Sequence, residues 1–162
     1  MKKNSGNELF DINYIKSSQQ NRYPLLFIDK ITEIKPGKFV KAIKNFTYNE
    51  WFFPAHFEDE PNVPGFVQLE SLVQTFIMTF LSINKYKNMK TNFFDLNNTK
   101  FRRKIIPGET MEIKAVLNEF KRGVAKGSAV GKVNKEFACS ADFVITVPDV
   151  FNKFIPKKNK RL

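Results

Sequence analysis

The sequence predicts an α+β fold, an antiparallel sheet of about six strands wrapped around one long buried central helix. Three observations predict it. Phe66 to Ile83 contains no Gly or Pro and is apolar on nearly every face, the pattern of an enclosed helix. On both sides of that segment, apolar and polar residues alternate with the period of half-buried strands. Short turn signals separate these stretches, such as Lys35-Pro36-Gly37-Lys38, of the kind that joins antiparallel neighbours.

Taken in order, residues 7–19 have weak helical spacing, with Leu9, Ile12 and Lys16 on one side, and predict a short N-terminal helix. Residues 25–34 and 39–47 predict two strands around the Pro-Gly turn. An irregular, aromatic-rich stretch follows, up to Pro64-Gly65. The central helix then runs from Phe66 to Ile83, where 11 of 18 residues are strictly apolar. Gln68, Glu70 and Gln74 make it too polar for a membrane span, so it reads as a core helix. Beyond it, residues 93–103 predict a strand, and 105–110 a turn. Met111, Ile113, Ala115 and Leu117 alternate with Glu112 and Lys114, which predicts the next strand. Residues 124–133 and 137–147 complete the set around the turn at 134–136. No repeat or linker interrupts the chain, so residues 1–162 read as one domain. Its core is expected over about 21–147, with a basic C-terminal tail over 148–162.

Composition narrows the classes. The 162 residues, 42% of them hydrophobic and 18 of them Phe, are enough for a core without cross-links. One cysteine excludes an internal disulfide, and with one histidine it leaves little for zinc, so no metal is expected. The N-terminus has charge but no apolar run behind it, and the expected location is cytoplasmic. The net charge of +11 has two readings: lysines scattered over a solvated surface, or an acidic partner. Its denser clusters, Lys100 to Lys104 and Phe120 to Arg122, lack the interleaved aromatics of a nucleic-acid module, so nucleic acid is not the expected partner.

His56, the only histidine, lies eight residues before the Pro-Gly that opens the helix, and Glu70 is the only charge within Phe66–Ile83. Burial of a carboxyl in such a helix favours its neutral form. A neutral imidazole can then take a proton near pH 7 while a glutamic acid donates one. The bland readings stand beside this: Glu70 at a helix edge paired with a lysine, and His56 as a packed or solvated residue. The helix start at Gly65 offers N–H groups that can stabilise negative charge.

The segment from Asn21 to Gln74, with "NRYPLLFIDK", "AHFEDEPNVPGF" and "LESLVQ" in order, resembles the 3-hydroxyacyl-acyl-carrier-protein dehydratases of bacterial fatty-acid synthesis. The resemblance extends to about Val147 through "KFRRKIIPGE" and "EFKRG". It rests on His56, Phe57, Pro61, Pro64 and Gly65, and on Glu70 four residues before Gln74. The glutamate resembles the branch that does not specialise in isomerisation. What the resemblance implies is a hotdog fold and an enzyme without cofactor that converts a (3R)-hydroxyacyl thioester into a trans-2-enoyl thioester. His56 would take the C2 proton, and Glu70, from the other subunit of a homodimer, would protonate the departing hydroxyl. Gly65 and Gln74 would position the thioester. The substrate would arrive on the phosphopantetheine arm of acyl carrier protein, an acidic partner that would dock on Arg102, Arg103, Lys104, Lys121 and Arg122. A trimer of dimers is compatible with the same family.

The chain also departs from the pattern. Asn21 replaces a histidine, Ala55 a glycine, and Glu58-Asp59 a Pro-Gly, with Glu60 following. Val73, Phe76 and Ile77 stand where the family keeps small residues and are expected to line and shorten the acyl tunnel, with Phe76 packed against the sheet as the alternative. Besides a dehydratase of short or unusual acyl groups, two further readings fit: a paralogue that only binds acyl chains or their carrier, and an acyl thioesterase.

Overall fold

In a computed structural model of the protein, residues 10–156 are described. Six strands form one antiparallel sheet: β1 (Lys30–Lys35), β2 (Phe39–Asn45), β3 (Asn92–Phe101), β4 (Thr110–Lys121), β5 (Val124–Val133) and β6 (Glu136–Thr146). Their order is β1-β2-β4-β5-β6-β3, so β1 and β3 are the edges. Among the described residues there are three α-helices: α1 (Ile12–Ser18) before β1, α2 (Gly65–Leu81) between β2 and β3, and α3 (Pro148–Phe151) after β6.

The sheet curls around α2, which packs on β2, β4, β5 and β6. From Ser71 to Leu81 every residue of α2 is buried, as all-round apolarity requires. Phe46, Phe52, Phe53, Phe76, Phe80 and Phe143 fill the space between helix and sheet. The β4 alternation holds: Met111, Ile113 and Ala115 face the core, while Glu112 and Lys114 face out. At the first turn, Gly37 takes a positive φ of 72° and Lys38 N–H closes on the Lys35 carbonyl at 2.9 Å.

Three elements differ from expectation. Residues 25–29 precede β1 rather than forming its first half, because the Phe27 N–H donates to the side chain of Gln74 instead of to a strand. Helix α1 starts at Ile12, where the Asp11 carboxylate accepts from the N–H groups of Asn13 and Tyr14. Its buried face is Ile15 and Ser18, not Ile12 and Lys16, and Leu9 lies outside the described residues. The expected tail begins with structure: Pro148, pre-set for a first helical turn, opens α3, and Val150 packs against the core. Residues 157–162 lie outside the described residues.

Strand β3 stands apart. All ten of its residues are exposed, among them Phe93, Phe94, Leu96 and Phe101.

Candidate active site

His56 follows a 3-10 turn, Phe53–Ala55, whose root is fixed by the buried rings of Phe52 and Phe53. Farther back in the same loop, Glu50 bonds the nearly buried ammonium of Lys44 on β2. The loop after His56 closes on itself. The His56 carbonyl accepts from the Asn62 N–H at 2.8 Å, and the ring Nδ1 lies 3.0 Å from the Asn62 carbonyl oxygen. A carbonyl only accepts, so Nδ1 carries hydrogen and a neutral ring keeps its lone pair on Nε2. The ring stacks on Phe57 with centroids 4.2 Å apart. It lines a pocket of about 340 Å³ together with Val63, Gly65, Gln68, Phe101 and Arg102. Here α2 begins. Pro64 at its cap position offers no side-chain acceptor, while Val67 and Gln68 N–H groups bond the Pro64 carbonyl. Gly65 thus lines the pocket beside the imidazole at the positive end of the helix, where the first N–H groups have no intrahelical acceptor. A Cβ on Gly65 would meet the Phe101 ring at 3.4 Å and narrow that space.

Glu70 lies farther along α2 and lines a different hollow, of about 230 Å³, with Asn21, Val73, Ile77, Asn92 and Phe93. Burial pushes its pKa up, partly offset by the hydrogen bond from Gln74. The amide of Gln74 is fully buried and fully engaged. Its Nε2 donates to Glu70 Oε1 at 2.7 Å and to the Leu25 carbonyl at 2.6 Å, and its Oε1 accepts from the Phe27 N–H at 2.8 Å. Asn21 Nδ2 also reaches Glu70 Oε1, at 3.3 Å. The carboxyl is thus held by neutral amides, and no lysine lines its hollow.

Within one chain the two groups line separate pockets, one at the Phe101 end of β3 and one at the Asn92 end. Residues 20–142 match the FabA-like domain. The chain belongs to the FabA-like family. It is 37% identical over 140 residues to the 3-hydroxyacyl-acyl-carrier-protein dehydratase FabZ of Clostridium botulinum strain Langeland, covering 86% of this chain and 97% of that protein. The FabZ dehydratase of Clostridium tetani is 35% identical over 127 residues, covering 78% and 89%. Among solved structures, the dehydratase heterocomplex ApeI:P of Xenorhabdus doucetiae superposes with a TM-score of 0.72 at 10% identity, covering 88% of this chain and 97% of that one. The six-stranded sheet and enclosed helix are the expected hotdog fold.

Other candidate residues of this FabA-like chain fall unevenly. Val73 and Ile77 line the hollow of Glu70, being three and seven residues along the same helix face. Phe76 does not. Its ring stacks on Phe143 at 5.5 Å and fits against Gly127 of β5, where a Cβ would stand 2.5 Å from the ring. The expected tunnel role of Phe76 is thus replaced by core packing. Gln74 is spent on Glu70 and the 25–27 backbone rather than on a substrate. Arg103 is a brace: its guanidinium holds Glu109 by two bonds of 2.6 and 2.8 Å and Glu136 by one of 3.0 Å. That leaves Arg102 and Lys104 exposed at the His56 pocket, with Lys104 paired to Glu60. Lys121 and Arg122 do not join them. They form the β4–β5 turn, at the end of β4 far from Thr110, and Arg122 lies over the Phe154 ring at 5.7 Å. A strand of twelve residues separates the two basic groups by about 35 Å within one chain. Asn21, which stands out in the sequence only as a departure before Arg-Tyr-Pro, reaches the Glu70 carboxyl here.

Proposed function

We propose that the protein dehydrates (3R)-hydroxyacyl thioesters carried on acyl carrier protein to trans-2-enoyl thioesters, a step of bacterial fatty-acid synthesis carried out in the cytoplasm. The observation that carries this reading is the half-buried, amide-held carboxyl of Glu70 in a chain whose one imidazole lines a pocket with an uncapped helix start. His56 Nε2 takes the C2 proton. The electron pair forms the C2–C3 double bond, the C3–O bond breaks, and Glu70 gives its proton to the leaving hydroxyl, which departs as water. The Gly65 N–H stabilises charge on the thioester oxygen as the C2–H bond breaks. The proton on the imidazolium then returns to the carboxylate through solvent, which restores the starting state.

The same proposal makes the working unit a homodimer. Strand β3 offers an unpaired edge, and exposed Phe93, Phe94 and Leu96 lie along it. A second copy paired antiparallel on that edge brings the Phe101 end of one β3 beside the Asn92 end of the other. The His56 pocket of one protomer then meets the Glu70 hollow of its partner, and two complete sites form.

Hydration of a crotonyl thioester tests the reaction, and absence of hydration with rapid thioester hydrolysis would overturn it. Mixing His56→Ala with Glu70→Gln tests the shared site. After subunit exchange, mixed dimers should regain activity that neither variant has alone, and no recovery would place both groups in one chain.

A further inference from the structure

We propose that Asn21 is a positioning residue that, with Gln74, commits one oxygen of Glu70 as an acceptor and so assigns the transferable proton to the other. This rests on the dehydratase reading above. Gln74 cannot turn its amide over: its own oxygen accepts from the Phe27 N–H, so the nitrogen must face Glu70. That nitrogen donates to Oε1 at 2.7 Å, and the Asn21 amide donates to the same Oε1 at 3.3 Å. An oxygen that accepts two N–H bonds is the carbonyl oxygen of the neutral acid. The hydrogen is carried by Oε2, which neither amide engages.

The backbone around Asn21 is held by contacts from two neighbouring side chains. The Arg22 guanidinium donates to the carbonyls of Lys16, Gln19 and Asn21, each at 2.8 Å, which fastens residues 19–22 to the end of α1. Gln20 Nε2 donates to the Asn88 carbonyl at 2.8 Å and ties the same loop to the approach to β3. The Asn21 side chain therefore reaches Glu70 from a fixed support on one side, while Gln74 reaches it from within α2. Two donors from independent elements hold the carboxyl plane more firmly than either alone, and a general acid gains from a fixed proton direction.

Two readouts test this on the full chain. Asn21→Leu keeps the volume and removes the donor. It should lower kcat for dehydration about tenfold with KM and Tm unchanged, and Asn21→His, which restores an N–H, should recover most of the loss. Unchanged kcat, or a rise in KM alone, would overturn the proposal. Infrared difference spectra at mildly acidic pH, with Glu70→Gln as reference, read the carboxyl directly. Loss of one donor to Oε1 should move the Glu70 C=O stretch to higher frequency in Asn21→Leu, and an unmoved band would also overturn it. The band is read without turnover, so it decides the Asn21 contact even if the wild-type chain showed no dehydration.

Discussion

His56 stands on a loop that closes on its own backbone and lies open to solvent at Phe57, Glu58 and Asp59, whereas Glu70 stands on a buried helix and is reached by two side-chain amides. In the proposed reaction the difference would follow from what each group must do. A base that meets a carrier-borne substrate gains from a loop that can be approached and where charge is solvated. An acid that keeps its proton near neutral pH gains from a drier, uncharged setting. In the proposed homodimer each site would take one setting from each copy.

The largest expected effect is on turnover. His56→Ala and Glu70→Gln should each reduce enoyl-thioester hydration by roughly 10²–10⁴-fold, measured on the purified protein, as for removal of a placed acid or base. Full activity in Glu70→Gln would abolish the contrast between the two halves. Next in size is the helix that carries Glu70. Phe76→Ala should cost about 3–5 kcal/mol of stability by denaturant unfolding, without changing the acyl-length profile. Ile77→Ala, on the hollow itself, should shift the preference toward longer acyl groups by roughly tenfold, assayed with four-carbon and longer carrier-linked substrates. The reverse pairing of outcomes would place Phe76 in the tunnel after all.

Much of this architecture was legible in the sequence. Elements with a clean period, such as β4 and α2, were readable because burial alone decides them. His56 and Glu70 were readable as candidates because each is singular in its surroundings. What escaped was every feature that depends on a side chain meeting a distant backbone. Gln74 binds Leu25 and Phe27, and that turned an expected strand into a support for the acid. Arg103 binds Glu109 and Glu136 at once, and a run of basic residues does not reveal which member is already occupied. Phe76 and Ile77 are neighbours in sequence, yet helical winding turns them about 100° apart, one to the sheet and one to the hollow.

Smaller effects sharpen the loop side. Arg102→Glu, at the mouth of the His56 pocket, should raise the KM for carrier-linked substrate a few-fold and weaken its salt dependence, while leaving small thioesters unaffected. Arg122→Glu, at the opposite end of β4, should do neither if the carrier docks near His56. On the helix side, burial raises the pKa of Glu70 in the folded chain above that of the unfolded chain. The folded state then binds more protons as pH rises past the unfolded value, so the wild-type carboxyl loses stability in that window and the deficit is complete above the folded pKa. Glu70→Gln has no such dependence. It should melt higher than wild type at pH 8, with the gap closing below the ordinary carboxyl range, and a gap independent of pH would mean the carboxyl is solvated.

The notch at Gly127 fixes an angle. A Cβ there would stand 2.1 Å from the Val116 carbonyl oxygen as well as 2.5 Å from the Phe76 ring, so that ring seats against β5 at one place only. Six residues separate it from Glu70, about 600° of winding, which leaves the two side chains about 120° apart around the axis. Seating the ring therefore sets the rotational phase of the whole helix, and with it the bearing on which Glu70, Val73 and Ile77 emerge toward the edge of the sheet. A methyl group added at position 127 would have to displace both the Val116 carbonyl and the Phe76 ring, and with the ring the helix that carries Glu70, although Gly127 does not line the hollow. The bearing of the Glu70 carboxyl is tied across the core to an atom that is not there.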